Sequence, residues 1–234
     1  SGFLASLALY LLLFSIGLGI GTDEALLREL PSMGLSSLII SGMAVLCSVG
    51  LSLILAGLLD KKNRTSSKRS TSSLKDVSLG VSQRNLPKVL KQVKGLGLKI
   101  VLLPLMITVG SILGGFLGSL LTPVDVKVSV LSSAGLGYYS LTGAFLTTSL
   151  GVEAGSIGFM TNVFRDILTV LLLPLYKRLG IFSAVASGAG GCMDTMLGPI
   201  TKTLGEEHLL LVLSVGTLLT VLVPFLLPFL LVLL

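Results

Sequence analysis

An all-α, polytopic membrane protein is the fold class that the sequence predicts, and three observations carry the prediction. Hydrophobic residues make up 52% of the 234 and charged residues only 12%, with mean hydropathy +0.98, a balance foreign to soluble globular domains. Five apolar runs are long enough to span a bilayer: Phe3 to Ile20, Leu35 to Leu59, Leu98 to Leu121, Ile157 to Tyr176 and His208 to Leu234. Two further runs, Val128 to Leu150 and Ile181 to Thr203, are equally long but rich in Gly, Ser and Thr. Seven membrane segments result, and the two glycine-rich ones are expected to be discontinuous or re-entrant.

The first run is too long for a signal-peptide core and lacks a basic region before it, so it is read as a membrane helix. The short loop after it carries Asp23, Glu24 and Glu29 against Arg28. Eleven of the seventeen Lys and Arg residues then fall between Lys61 and Lys99, with Asp76 the one acid in that interval. The positive-inside rule places this segment in the cytoplasm and the loop before Leu35 outside. The tract Asn63 to Ser73 is polar and repetitive, the composition of a disordered segment. No aromatic residue interleaves its charges, which argues against nucleic acid as a partner.

An internal repeat is legible at an offset of 61 residues. Leu18 to Leu35 runs beside Leu79 to Leu96, each copy opening on Leu-Gly, closing on Gly-Leu and leading into an apolar span. Duplicated halves suit a transporter-like bundle. Three regions follow: membrane helices over 1–59, a basic and partly disordered loop over 60–97 that starts the second copy, and a membrane domain over 98–234. Cys47 and Cys192 both lie inside membrane segments and have no disulfide or metal spacing. No metal or cofactor is expected.

The chemistry is concentrated in the last region. Gly135 to Gly143 and Ala186 to Ile200 put glycines, hydroxyls and Pro199 in the middle of membrane segments. Each Gly costs a continuous helix about 1 kcal/mol relative to Ala. A broken helix, in contrast, gains from them, because unwound backbone at Gly135, Gly137, Gly143, Gly190 and Gly191 offers carbonyls and half-helix ends to a ligand at mid-depth. Asp166 sits on the order of 13 Å from either end of its run, and Asp194 sits inside the second glycine-rich stretch. Insertion scales charge about 2.5–3.5 kcal/mol for an acid at a helix centre, so such a residue is kept where it meets a partner or a substrate. Asn162 and Asp166 are four apart and share a helix face that Thr169 extends, so Asn162 is expected among the substrate contacts. Arg165 is expected to support one Asp as its ion-pair partner.

These same residues resemble a known family. Ala134 to Gly143, Gly155 to Leu175 and Gly188 to Ile200, in that order, are similar to the motifs of the LysO-type bacterial lysine exporters. Tyr138 stands where that family has Trp, Thr142 where it has Ser and Asp166 where it has Glu, and Gly198 separates Leu197 from Pro199. The resemblance implies a multi-pass protein of the bacterial inner membrane that exports L-lysine and close cationic analogues.

The residue chemistry agrees with a cationic amino acid. Lysine brings two ammonium groups and one carboxylate, so a site that strips their water needs anions and donors. Asp166 and Asp194 can supply the anions; half-helix N-termini, Tyr139, Ser140 or Thr195 can supply the donors. Protons and ammonium groups would compete for the two carboxylates, the minimum physics of proton antiport. The expected partners are thus L-lysine, protons and membrane lipid, and a homo-oligomer is compatible with them. A transporter of another small amino acid is one alternative. An intramembrane aspartyl protease is another, although its Gly-x-Gly-Asp signature is absent here and no catalytic residue is assigned.

Overall fold

The computed structural model describes residues 24–63 and 86–234, with side chains over 30–57 and 100–234. Every regular element among them is helical. In chain order they are α1 (Glu24–Asn63), α2 (Leu86–Leu121), α3 (Val126–Ala134), α4 (Tyr139–Leu150), α5 (Val152–Leu179), α6 (Ile181–Gly188), a short 3-10 helix (Ala189–Met193), α7 (Leu197–Leu204) and α8 (Leu209–Leu233). Four stretches are long and apolar enough to cross a membrane: Leu30–Gly57, Ile100–Leu121, Val152–Leu179 and Glu206–Leu233. The protein is an all-α polytopic membrane protein. The run Phe3 to Ile20, most of the tract Asn63 to Ser73 and the opening of both copies of the 61-residue repeat lie outside the described residues.

One boundary differs from the sequence reading. The basic stretch up to residue 97 was expected to be loop, whereas α2 already begins at Leu86. Leu86, Val89, Leu90 and Val93 recur at helical spacing, and Pro87 falls in the first turn, where its missing donor costs nothing. The lysines between them do not interrupt a helix.

Helices α1 and α2 form an antiparallel pair joined by small residues. A Cβ placed on Gly110 would lie 2.6 Å from Ser48 Cα, and one on Gly114 would lie 2.5 Å from Ala44 Cα, so the backbones touch where only glycine fits. This is the packing that replaces the hydrophobic effect between helices in lipid. Ser48 and Ser111 add a hydrogen bond of 3.0 Å at the same level.

The remaining elements fold as two helical hairpins around α5. In the first, α3 and α4 both lie against the N-terminal half of α5: Gly158 faces Ser132 of one arm and Leu146 of the other. The second consists of α6, the 3-10 helix and α7. Its arms flank the other half of α5, through Ser187 beside Thr169 and Met196 beside Ile167 and Val170. The hairpins therefore enter from opposite ends of α5 and meet near its middle. Helix α8 closes the bundle, burying Val212, Val215, Leu219 and Val223.

Gly114→Leu should force α1 and α2 apart and cost about 1–3 kcal/mol, the usual penalty of overpacking. Gly50→Leu, which meets nothing within 4 Å, should leave the melting temperature of the detergent-solubilised protein unchanged.

Candidate functional site

The two hairpin tips touch through the main chain. Gly190 N donates to Leu136 O at 2.7 Å. Each tip also holds a non-glycine residue at positive φ, Leu136 at 52° and Ala189 at 44°, a conformation that costs about 1–3 kcal/mol and persists only where surroundings enforce it. Gly137, at φ +91°, completes the first tip, and a Cβ there would lie 3.4 Å from both Gly188 O and Gly191 N. The positive φ explains Gly137, and close approach explains Gly190, where a Cβ would lie 2.9 Å from Leu136 O.

Helix α5 supplies what holds the tips. Asn162 is 1% exposed; its Oδ1 accepts from Gly137 N at 2.7 Å, and its Nδ2 donates to Ser132 O at 2.9 Å and Gly158 O at 2.8 Å. Both ends of the amide are thus committed to backbone. Asn162, expected among the substrate contacts, instead braces the first tip, and this is a correction to the sequence reading.

Arg165 requires a second correction. Among the described residues no carboxylate comes within ion-pair range of its guanidinium. Nε donates to Ser187 O at 2.9 Å, Nη2 to Ala186 O at 3.0 Å and to Ser48 Oγ at 3.4 Å, and Nη1 to Ser111 Oγ at 2.8 Å. Successive residues on a helix project about 100° apart, so Arg165 turns into the bundle while Asp166 turns to the hairpin tips. The arginine caps the C-terminal carbonyls of α6, a role that suits a cation at a helix end. Ser48, Ser111 and Ser187 escaped the sequence reading; lone serines within apolar spans were the available signal.

Asp166 lies at the junction itself. Its Oδ2 accepts from Thr195 Oγ1 at 2.9 Å. Its Oδ1 is buried and has no hydrogen-bond partner, sitting 2.9 Å and 3.6 Å from where a Cβ on Gly191 and on Gly137 would be. A bare carboxylate oxygen in such a place is expensive unless something visits it. Asp166 also borders an open groove of about 290 Å³ whose other lining residues, Ile167, Val170, Leu171 and Met196, are apolar.

The other expected residues are dispersed around this centre. Asp194 is exposed on the second tip, where it accepts from the backbone of Thr195. Tyr139 packs edge-on against Phe159, with ring centroids 5.6 Å apart, and Ser140 is half-buried beside it in the first turn of α4. Gly135 abuts Thr142 and Asn162, and Gly143 abuts Phe159. Pro199 occupies the first turn of α7, where a missing donor is harmless. Thr220 and Gly216 of α8 also touch the second tip, through Gly190 O and the Cys192–Met193 backbone. Nothing in the sequence marked these two.

The family profile described as lysine exporter LysO matches residues 76–231. The chain belongs to the LysO family. It is 28% identical over 205 residues to a protein named lysine exporter LysO from Escherichia coli K12, covering 86% of this chain and 67% of that protein. It is 29% identical over 151 residues to a putative lysine exporter from Haemophilus influenzae Rd, covering 64% and 77% of the two chains. No solved structure matches. LysO proteins are transporters rather than enzymes, which removes the protease alternative.

Because the bonds of Arg165 do not involve Asp166, the two neighbours should separate on mutation. Arg165→Lys loses the planar fork and should cost about 1.5–3 kcal/mol, the worth of a charged hydrogen bond. Asp166→Ala should leave thermal unfolding in detergent nearly unchanged.

Proposed function

We propose that the protein exports L-lysine, and close cationic analogues, across the bacterial inner membrane by proton antiport. The observation that carries this reading is the setting of Asp166: a carboxylate with one buried, uncommitted oxygen, on a residue that borders an apolar groove. A lysine side chain has the complementary form, a tetramethylene stem that favours Ile167, Val170, Leu171 and Met196 and an ammonium that seeks an anion. Membership of the LysO family supports the same substrate.

The zwitterionic end of lysine has its own requirements. Asp194, exposed one helical break away, suits the α-ammonium, while Thr195 and the N-terminal ends of α4 and α7 offer donors to the carboxylate. Tyr139 and Ser140 belong to the first of those N-terminal ends. Coupling follows from shared chemistry. A proton and an ammonium cannot occupy one carboxylate oxygen together, so proton arrival expels lysine and lysine arrival expels a proton. A transporter of another small amino acid would lack the need for two acids.

In proteoliposomes, Asp194→Asn should abolish lysine transport without preventing membrane insertion, because the substitution keeps the shape and removes the charge. Wild-type rates in that variant would sink the assignment of Asp194. Competition also predicts that lysine binds more tightly as pH rises between about 5 and 8, the range a buried carboxyl can cover. An affinity flat across that range would eliminate antiport through Asp166, and ornithine or arginine outcompeting lysine would reassign the substrate.

A further inference from the structure

The two hairpins, each with the long helix that follows it, align in sequence without a gap at an offset of 54 residues. Ser133 pairs with Ser187, Gly137 with Gly191, Thr147 with Thr201, Gly151 with Gly205, Glu153 with Glu207 and Pro174 with Pro228. Leucine-rich segments align by chance easily, so the geometry at these positions has to decide. It agrees at the contact with Asp166 and at the ends of the units, whereas the tip backbones differ, with Gly137 at positive φ and Gly191 not. Gly137 and Gly191 are both at the tips and both face Asp166 Oδ1. Gly151 and Gly205 both end their hairpins at positive φ, 99° and 120°, and donate to Thr147 O and Thr201 O respectively. Those two threonines each return a hydroxyl to the carbonyl four residues back, Gly143 O and Leu197 O. Each following helix then touches its own hairpin tip at an equivalent residue: Asn162 in α5 binds Gly137, and Gly216 in α8 lies against Cys192 and Met193.

The copies run in opposite directions. The first hairpin is attached where α5 begins and the second where α5 ends, so the bases of the hairpins lie at opposite ends of the same membrane-spanning helix. We propose that residues 128–177 and 182–231 are two copies of one unit inserted in opposite orientations, opening to opposite sides of the membrane around Asp166. Duplication with inversion gives a transporter two equivalent mouths for one central site, and exchanging the conformations of the copies moves that site from one side to the other.

The alignment also shows where the copies have diverged. Asp166 corresponds to Thr220, Asp194 to Ser140 and Asn162 to Gly216. Each copy thus contributes one acid, from its long helix in the first and from its hairpin in the second. The first hairpin is held by two hydrogen bonds of Asn162, to Gly137 N and Ser132 O, while the second has Gly216 in that place and takes from α8 the longer bond of Thr220 to Gly190 O. In keeping with this, Asp194 and Thr195 of the second tip are exposed, whereas Ser140 and Leu141, their counterparts, are half-buried.

The proposal rests on the export reading only for the identity of what passes. Single cysteines are introduced as Glu153→Cys and Glu207→Cys, with the wild-type chain as baseline because Cys47 and Cys192 lie inside membrane segments. Each is treated with a membrane-impermeant maleimide in intact cells and in inside-out vesicles. Given the cytoplasmic placement of the basic segment, Glu153→Cys should be labelled in intact cells only and Glu207→Cys in inverted vesicles only. Thr148→Cys and Lys202→Cys, also 54 apart and exposed, serve where either variant fails to fold. Labelling of both members of a pair from the same side overturns the inverted repeat. At the tips, Ser140→Cys and Asp194→Cys should each be reached from the side of its own hairpin, and access from the far side overturns the two-mouth part. None of these readouts needs lysine, so a wrong substrate and a wrong topology fail separately.

Discussion

Arg165 has to be satisfied before the middle of this protein can pack at all, because a guanidinium at mid-depth in a membrane has no water to turn to and costs several kcal/mol if left alone. The chain meets that demand with oxygen atoms from three other helices. Ser48 and Ser111 reach it from the α1–α2 pair, and Ala186 and Ser187 reach it from the end of α6. The last two carbonyls are ones that a helix end leaves unpaired. One side chain therefore closes the end of α6, fixes its depth, and joins the hairpin to helices distant in sequence.

With α6 fixed, the rest of the junction follows. Gly190 is carried to Leu136 O, and Asn162 secures the other tip from the opposite side. The positive φ angles of Leu136 and Ala189 are tolerated because the chain on either side of each is held. Asp166 faces both tips, at Gly137 and Gly191, and is left with an oxygen that no described protein group satisfies. Rigid surroundings and one unmet valence belong together: a looser junction would let the backbone fold back and satisfy it.

Much of this was legible from residue types alone. Span positions follow from apolar runs, and Asp166 stands out because charge is costly where it lies. Partners were harder to read, for a physical reason. Asn162 and Arg165 bind mostly main-chain carbonyls and amides, which carry no sequence signature, so spacing suggested a substrate contact for one and an ion pair for the other. Helix periodicity did say that Arg165 and Asp166 diverge by about 100°, and that geometry alone argued against a shared partner. The start of α2 was missed because its lysines outweighed, in a reading by charge, the Leu and Val residues that repeat every three or four positions.

The joint between the hairpins, Gly190 N to Leu136 O, is made by main-chain atoms alone. No side chain can be trimmed to break it; a methyl added at Gly190 would instead lie 2.9 Å from Leu136 O and crowd it, and a proline there would delete the donor. Tyr138 and Thr142 contribute no side-chain atom to that bond, so the letters of the motif can change around it while donor and acceptor stay the same.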